Sequence, residues 1–142
     1  MSSTPLFASS PRQQGLALAI MRVVVGIVFI AHGYQKLFVS GLAGITEGFA
    51  KMGTPMPTIT APLVTFLELF GGIGLVIGLL TRLIALGLVF DMLGAIFLVH
   101  LANGFFLPAG YEFVLMLMVA SLALFVGGPG RFSVDEMIAN RR

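Results

Sequence analysis

The chain contains no cysteine. Disulfides, thiol redox chemistry, lipid attachment to cysteine and Cys-ligated zinc or iron–sulfur clusters are therefore excluded. Charge is also scarce: Asp, Glu, Lys and Arg make up 10% of 142 residues, against roughly 25% in an average soluble domain. The basic residues are scattered and the net charge is only +2, so there is no basic stripe for nucleic acid. No dinucleotide fingerprint, P-loop or hydrolase triad is present. Residues 1–14 are polar and rich in Ser and Pro. They lack the charged start, short apolar stretch and small-residue cleavage site of a signal peptide, and read as a tail.

What the chain has instead is apolar length. It is 58% hydrophobic, with a mean hydropathy of +1.05, which places it in the membrane. The pattern predicts an all-α membrane protein: a four-transmembrane-helix bundle with helices at about 16–38, 62–80, 83–101 and 111–126. On this reading residues 1–15 are a polar N-terminal tail, 16–127 the four-helix transmembrane domain and 128–142 a C-terminal tail. The one long loop, 39–61, has room for an interfacial helix over 45–52 before Pro55 and Pro57 stop it. Arg12, Arg22, Arg82, Arg131, Arg141 and Arg142 fall on one side, Lys36 and Lys51 on the other. That bias predicts a multi-pass protein of the cell (inner) membrane with both termini cytoplasmic.

The first apolar helix carries Arg22, His32 and Lys36, and ionisable groups inside a span are costly enough to mark function. At about 100° per residue, Arg22, Gly26, Phe29, Gly33 and Lys36 form one stripe, which should face a bundle interior. Gly71, Gly72 and Gly78 lie near Glu68, Gly74 and Gly78 form a G-x-x-x-G pair, and Gly87 and Gly94 flank Asp91. Gly26, Gly33, Gly71, Gly72, Gly78, Gly87 and Gly94 are accordingly read as helix-packing positions. A weak repeat, G-x-x-F-x-x-H, links Gly26, Phe29 and His32 with Gly94, Phe97 and His100, suggesting two pseudo-repeated helical hairpins. Aligning them brings Arg22 and Asp91 to similar depth, where an intramembrane ion pair is expected.

His32, Lys36, Glu68, His100 and Glu112 all fall near the outer boundary, and together they predict a ligand-binding cavity. The plainer alternative is a satisfied Lys36–Glu68 bridge. A quinone headgroup would suit a histidine and Lys36 as donors, with a carboxylate for protons. Bis-histidine haem is disfavoured, because both histidines point away from the Arg22 and Asp91 face. No metal site is assigned, and no cofactor beyond the candidate quinone. The catalytic residues, if any, are not identifiable.

Three stretches carry a resemblance: RVVVGIVFIAHGYQK from Arg22, ELFGGIGLVIG from Glu68 and GPGRFSVD from Gly128. They look like the successive signatures of the DoxX family of small four-helix integral membrane proteins. Arg22, His32, Gly33, Lys36, Glu68, Gly71, Gly72, Gly128, Gly130 and Arg131 stand on its motif positions. The resemblance implies redox and sulfur chemistry, through links to a membrane subunit of thiosulfate:quinone oxidoreductase and to a mycobacterial membrane complex with a superoxide dismutase and a sulfurtransferase. A chain without cysteine or a flavin-binding fold is not a complete oxidoreductase alone, so the expected role is a membrane subunit of a redox complex. It would offer a quinone cavity and anchor a protein partner, or self-associate. Residues 133–142, a short helix capped by Ser133, are the expected docking element, removable without unfolding the bundle. The alternative is a non-enzymatic accessory or assembly subunit, and third a small-molecule transporter.

Overall fold

The computed structural model describes residues 8–141, and all the regular structure among them is helical. Helix α1 (Pro11–Tyr34) begins before the expected residue 16 because Ser10 and Gln13 form a reciprocal cap, with Pro11 in the first turn where its missing N–H costs nothing. Residues 1–7 of the expected tail, and Arg142 of the expected basic end, lie outside the described residues.

From α1 the chain passes through a π-helical turn, Gln35–Ser40, into α2 (Gly41–Lys51), so most of the expected long loop is helix. Helix α3 (Pro57–Ile77) starts at Pro57, not at 62. Pro57 suits the first helical position, and Pro62, one turn later, forgoes only a bond to the Thr58 carbonyl. Helix α4 (Thr81–Ala95) continues through a second π-helical turn, Ile96–His100, and a 3-10 turn, Leu101–Asn103. Then come α5 (Glu112–Gly127) and α6 (Val134–Ala139).

Three of these stretches, Pro11–Lys51, Pro57–Ile77 and Thr81–Asn103, are long and apolar enough to cross a membrane. Helix α5 is as apolar, but its 16 residues rise only about 24 Å against roughly 30 Å of hydrocarbon. Helix α1 packs chiefly on α3 and α4 on α5, and contacts between α3 and α4 and between α1 and α5 close the bundle. The core is Phe29, Leu75, Leu88, Met92 and Leu124, all buried. Phe70, Phe90 and Phe97 point outward, as lipid-facing residues do.

Glycine sets the closest approach. A Cβ on Gly26 would stand 2.7 Å from the Gly72 carbonyl oxygen, and one on Gly72 would stand 2.7 Å from the Gly26 oxygen and from the Ile30 nitrogen. Gly33 lies equally tight on the Leu69 backbone. Gly71 and Gly74 meet Ile84 of α4, and Gly87 meets Leu67 of α3. Two expected packing positions behave otherwise. A Cβ on Gly94 would meet nothing within 4 Å, and Gly78, at φ +74°, ends α3.

That α3 terminus anchors the C-terminal segment. The Leu79 N–H bonds the Gly74 carbonyl (2.8 Å) and Gly78 N–H the Leu75 carbonyl (3.2 Å), a Schellman ending that needs the left-handed Gly78. The Asp135 N–H then bonds the Gly78 carbonyl (2.9 Å), while its carboxylate accepts from the N–H groups of Leu80 (2.8 Å) and Thr81 (2.9 Å). Asp135 thus caps α4 from a distant part of the chain. On the other side, Arg131 N–H donates to the Gly15 carbonyl of α1 at 3.0 Å. Ser133 does cap α6, accepting from Glu136 N–H at 3.1 Å. Residues 133–142 are expected from the sequence to be removable without unfolding the bundle; Asp135 instead bonds the α3–α4 turn, and Arg131 just before it bonds α1.

Two stability outcomes follow from this packing. Gly26→Leu should lower stability in detergent by about 1–3 kcal/mol through overpacking, read as a fall in the melting temperature. Asp135→Ala should cost about 1 kcal/mol, and deleting residues 133–142 more than that; unchanged melting of both would show that the segment is not part of the bundle.

Candidate functional site

Arg22 is the most deeply buried charge, 1% exposed. Its guanidinium donates to four carbonyl oxygens: Nη1 to Leu75 (2.7 Å) and Val76 (2.8 Å), Nη2 to Phe132 (3.2 Å) and Arg131 (3.3 Å). The expected Arg22–Asp91 ion pair is thus corrected. Carbonyls at the end of α3 and in the C-terminal turn serve as its acceptors, and a guanidinium fork supplies several donors at once.

Asp91 belongs to another group. Lys36, on the π-helical turn after α1, forms a salt bridge with Glu68 of α3, whose side chain is 4% exposed. The Asp91 carboxyl lines the same cavity as Glu68 and Lys36, and its Oδ2 is buried without a hydrogen-bond partner. One ammonium therefore faces two carboxyl groups. These side chains and His100 line a cavity of about 440 Å³ between α2, α3 and α4, a size suited to a small organic ligand. Thr60, Val64 and Glu68 supply one wall, at helical spacing along α3, and Asp91, Ala95 and Leu98 supply another along α4. Phe49 of α2 and Met52, just past its end, complete it.

His100 comes to this cavity through the second π-helical turn. Its Nδ1 stands 2.9 Å from the Ala109 carbonyl oxygen, which can only accept, so Nδ1 carries the proton and a neutral ring keeps its Nε2 lone pair free. The cavity thus combines an ammonium, carboxylate oxygens and an imidazole acceptor within apolar walls, a set able to orient a polar head and exchange protons with it.

Two members of the expected constellation stand elsewhere. His32 is exposed, bonds its own helix through Nδ1 and the Val28 carbonyl (2.8 Å), and faces Phe113 of α5 at 6.2 Å between rings. Glu112 accepts from Leu107 N–H at 2.8 Å and closes the loop before α5. The histidines also occupy unlike surroundings, as do their repeat partners: Phe29 is buried while Phe97 is 66% exposed. The π-helical turn beginning at Ile96 changes the helical phase before His100, so the expected equivalence of the two motifs is not realised. Asp91 was missed as a cavity residue, although its spacing to Ala95 and Leu98 marks the stripe.

Comparison with known proteins agrees on the family. The DoxX family model matches residues 17–101. A Bacillus subtilis protein named "Putative oxidoreductase CatD" is 32% identical over 105 residues, covering 74% of this chain and 75% of its own. An uncharacterized membrane protein of Mycobacterium tuberculosis, Rv3486, is 33% identical over 132 residues, covering 85% and 80%. The inner membrane protein YphA of Escherichia coli is 30% identical over 125 residues, covering 84% and 88%. No solved structure matches the chain.

The two charge clusters make different predictions. Lys36→Met and Glu68→Leu should couple by about 1–3 kcal/mol in a double-mutant cycle of detergent stability. Arg22→Met and Asp91→Asn should be additive within about 0.5 kcal/mol; strong coupling would restore the ion pair between them.

Proposed function

The chain is a membrane protein of the DoxX family, and on that premise we propose that it serves a membrane redox complex by binding a quinone headgroup in the Lys36–Glu68–Asp91–His100 cavity. The observation carrying this reading is the convergence of those four side chains on a cavity whose other walls are largely apolar. Lys36 retains donors beyond its bond to Glu68 and can hold a carbonyl or phenolate oxygen. The free Nε2 of a neutral His100 can accept from a hydroxyl. Glu68 and Asp91 give protons a place to reside when the headgroup changes state. Phe49, Met52 and Leu98 offer apolar surface to the ring and the start of its tail.

The electrons come from elsewhere in this proposal, since the chain has no cysteine to carry them and the redox group would reside in a partner. We place the protein in the inner membrane with α5 as a fourth, short span. The end bearing Arg82, Arg131 and α6 is assigned to the cytoplasm by the excess of basic residues there. Relatives named as inner membrane proteins support the compartment. An accessory or assembly subunit is the rival reading, resting on the lack of cysteine in the chain.

Purification in mild detergent, followed by mass spectrometry of everything that stays bound, tests the proposal. Quinone should co-purify with the wild type, be lost from Glu68→Gln and His100→Ala, and persist in His32→Ala, whose side chain lies outside the cavity. A preparation free of quinone but with a constant protein partner would overturn the ligand reading in favour of the accessory subunit.

A further inference from the structure

The end of the bundle away from the cavity carries guanidinium groups that have no acid partner among the described residues. Arg82, at the start of α4, is exposed, and a Cβ on Gly128 would stand 3.2 Å from its Nε and Nη2. Arg131 follows Gly128 by three residues, so its backbone lies within about 11 Å of the place where the Arg82 guanidinium rests, and its side chain runs past Gly15 of α1, where an added Cβ would stand 2.8 Å from its Cγ. Among the described residues no carboxylate pairs with either arginine. The nearby acids are occupied: Asp135 holds the α4 N-terminus and Glu136 accepts from Phe132 N–H at 3.0 Å.

Apolar surface borders these charges. Phe132 stands at φ +55°, a conformation rare outside glycine, and is 75% exposed. Its carbonyl is held by Arg22 and its N–H by Glu136, so the backbone is fixed with the ring outward. The Arg131 guanidinium carbon sits 5.3 Å from that ring's centroid, a cation–π distance. Leu80 and Leu83 are exposed at the same end. This surface lies where apolar helices stop, the depth at which headgroups sit.

We propose that this surface binds the headgroup of an anionic phospholipid, with Arg82 and Arg131 on the phosphate and Phe132 and Leu83 against the acyl chains. Charge complementarity carries the inference. Two guanidinium forks with no carboxylate partner among the described residues match phosphate oxygens, and a strained aromatic projects beside Arg131 at interfacial depth. The site is independent of the cavity and of any quinone.

Native mass spectrometry of the full chain in neutral detergent tests it, by titration with dioleoyl phosphatidylglycerol and with dioleoyl phosphatidylcholine. Phosphatidylglycerol should bind on the order of tenfold tighter. The double variant Arg82→Gln, Arg131→Gln should lose that preference, and Lys51→Gln, in a helix that lines the cavity, should keep it. Melting followed by circular dichroism in phosphatidylcholine checks that the double variant still folds. If it does not, Arg82→Gln alone, on an exposed side chain, must lower the preference several-fold. Equal binding of the two lipids by the wild type, or a preference that survives in the variants, overturns the proposal. So does displacement of phosphatidylglycerol by millimolar inorganic phosphate, which would make the ligand free phosphate.

Discussion

Arg22 is the charge around which the bundle closes. A guanidinium in an apolar helix is tolerable only if its donors are used, and here the partners are backbone carbonyls, not a carboxylate. The same bonds give the guanidinium its acceptors and tie the end of α3 to the C-terminal turn, the Leu75 carbonyl accepting from both Gly78 N–H and Arg22. It also fixes the chain's topology. α1, the end of α3 and the segment after α5 must all meet at one point, and only a glycine at 78 leaves room for the Arg22 fork.

Satisfying Arg22 in this way has a consequence at the other end. Asp91 receives no guanidinium, so it joins Glu68 and Lys36, and this cluster keeps an excess of carboxyl groups over ammonium. A buried group with an oxygen left unpaired is costly for stability and available for chemistry. The two ends therefore differ in kind. One is closed by hydrogen bonds among three segments of the chain, with Arg22 Nε and Thr81 Oγ1 buried and unpartnered there; the other places a buried, unpartnered Asp91 oxygen beside an open volume.

How much of this was legible in the residues depended on the range of the interaction. The apolar runs indicated helices, and Gly26 and Gly33 on one stripe of α1, with Gly72 near Glu68, indicated packing faces because helical spacing alone defines a face; which helices meet there is a matter of tertiary contact. Boundaries moved where caps decided them, as at Ser10 with Gln13 and at Pro57. The Lys36–Glu68 contact was foreseen as the plainer reading of the cluster, whereas pairing Arg22 with Asp91 assumed that a buried cation seeks an anion. Carbonyl acceptors carry no side-chain signature, so no pattern could reveal them. The histidine repeat misled for a related reason: its spacing is measured along the chain, and a π-helical turn alters the phase without altering the letters.

Those π-helical turns bear on how a cavity can exist in so small a bundle. Regular α-helices packed through glycine approach closely and leave no volume. Near the cavity both α1 and α4 abandon α-helical phase, one at Gln35–Ser40 and the other at Ile96–His100. Each wider turn carries one of the cavity's basic side chains, Lys36 or His100. A π-helical turn in an α-helix frequently marks a functional position, and here two of them converge on one pocket. Helix α2 follows the first, entered through Gly41 at φ +73°, and brings Phe49, with Met52 just past its end, to the cavity wall. The departure from regular helix that makes room for a ligand is thus the same one that delivers the groups to bind it.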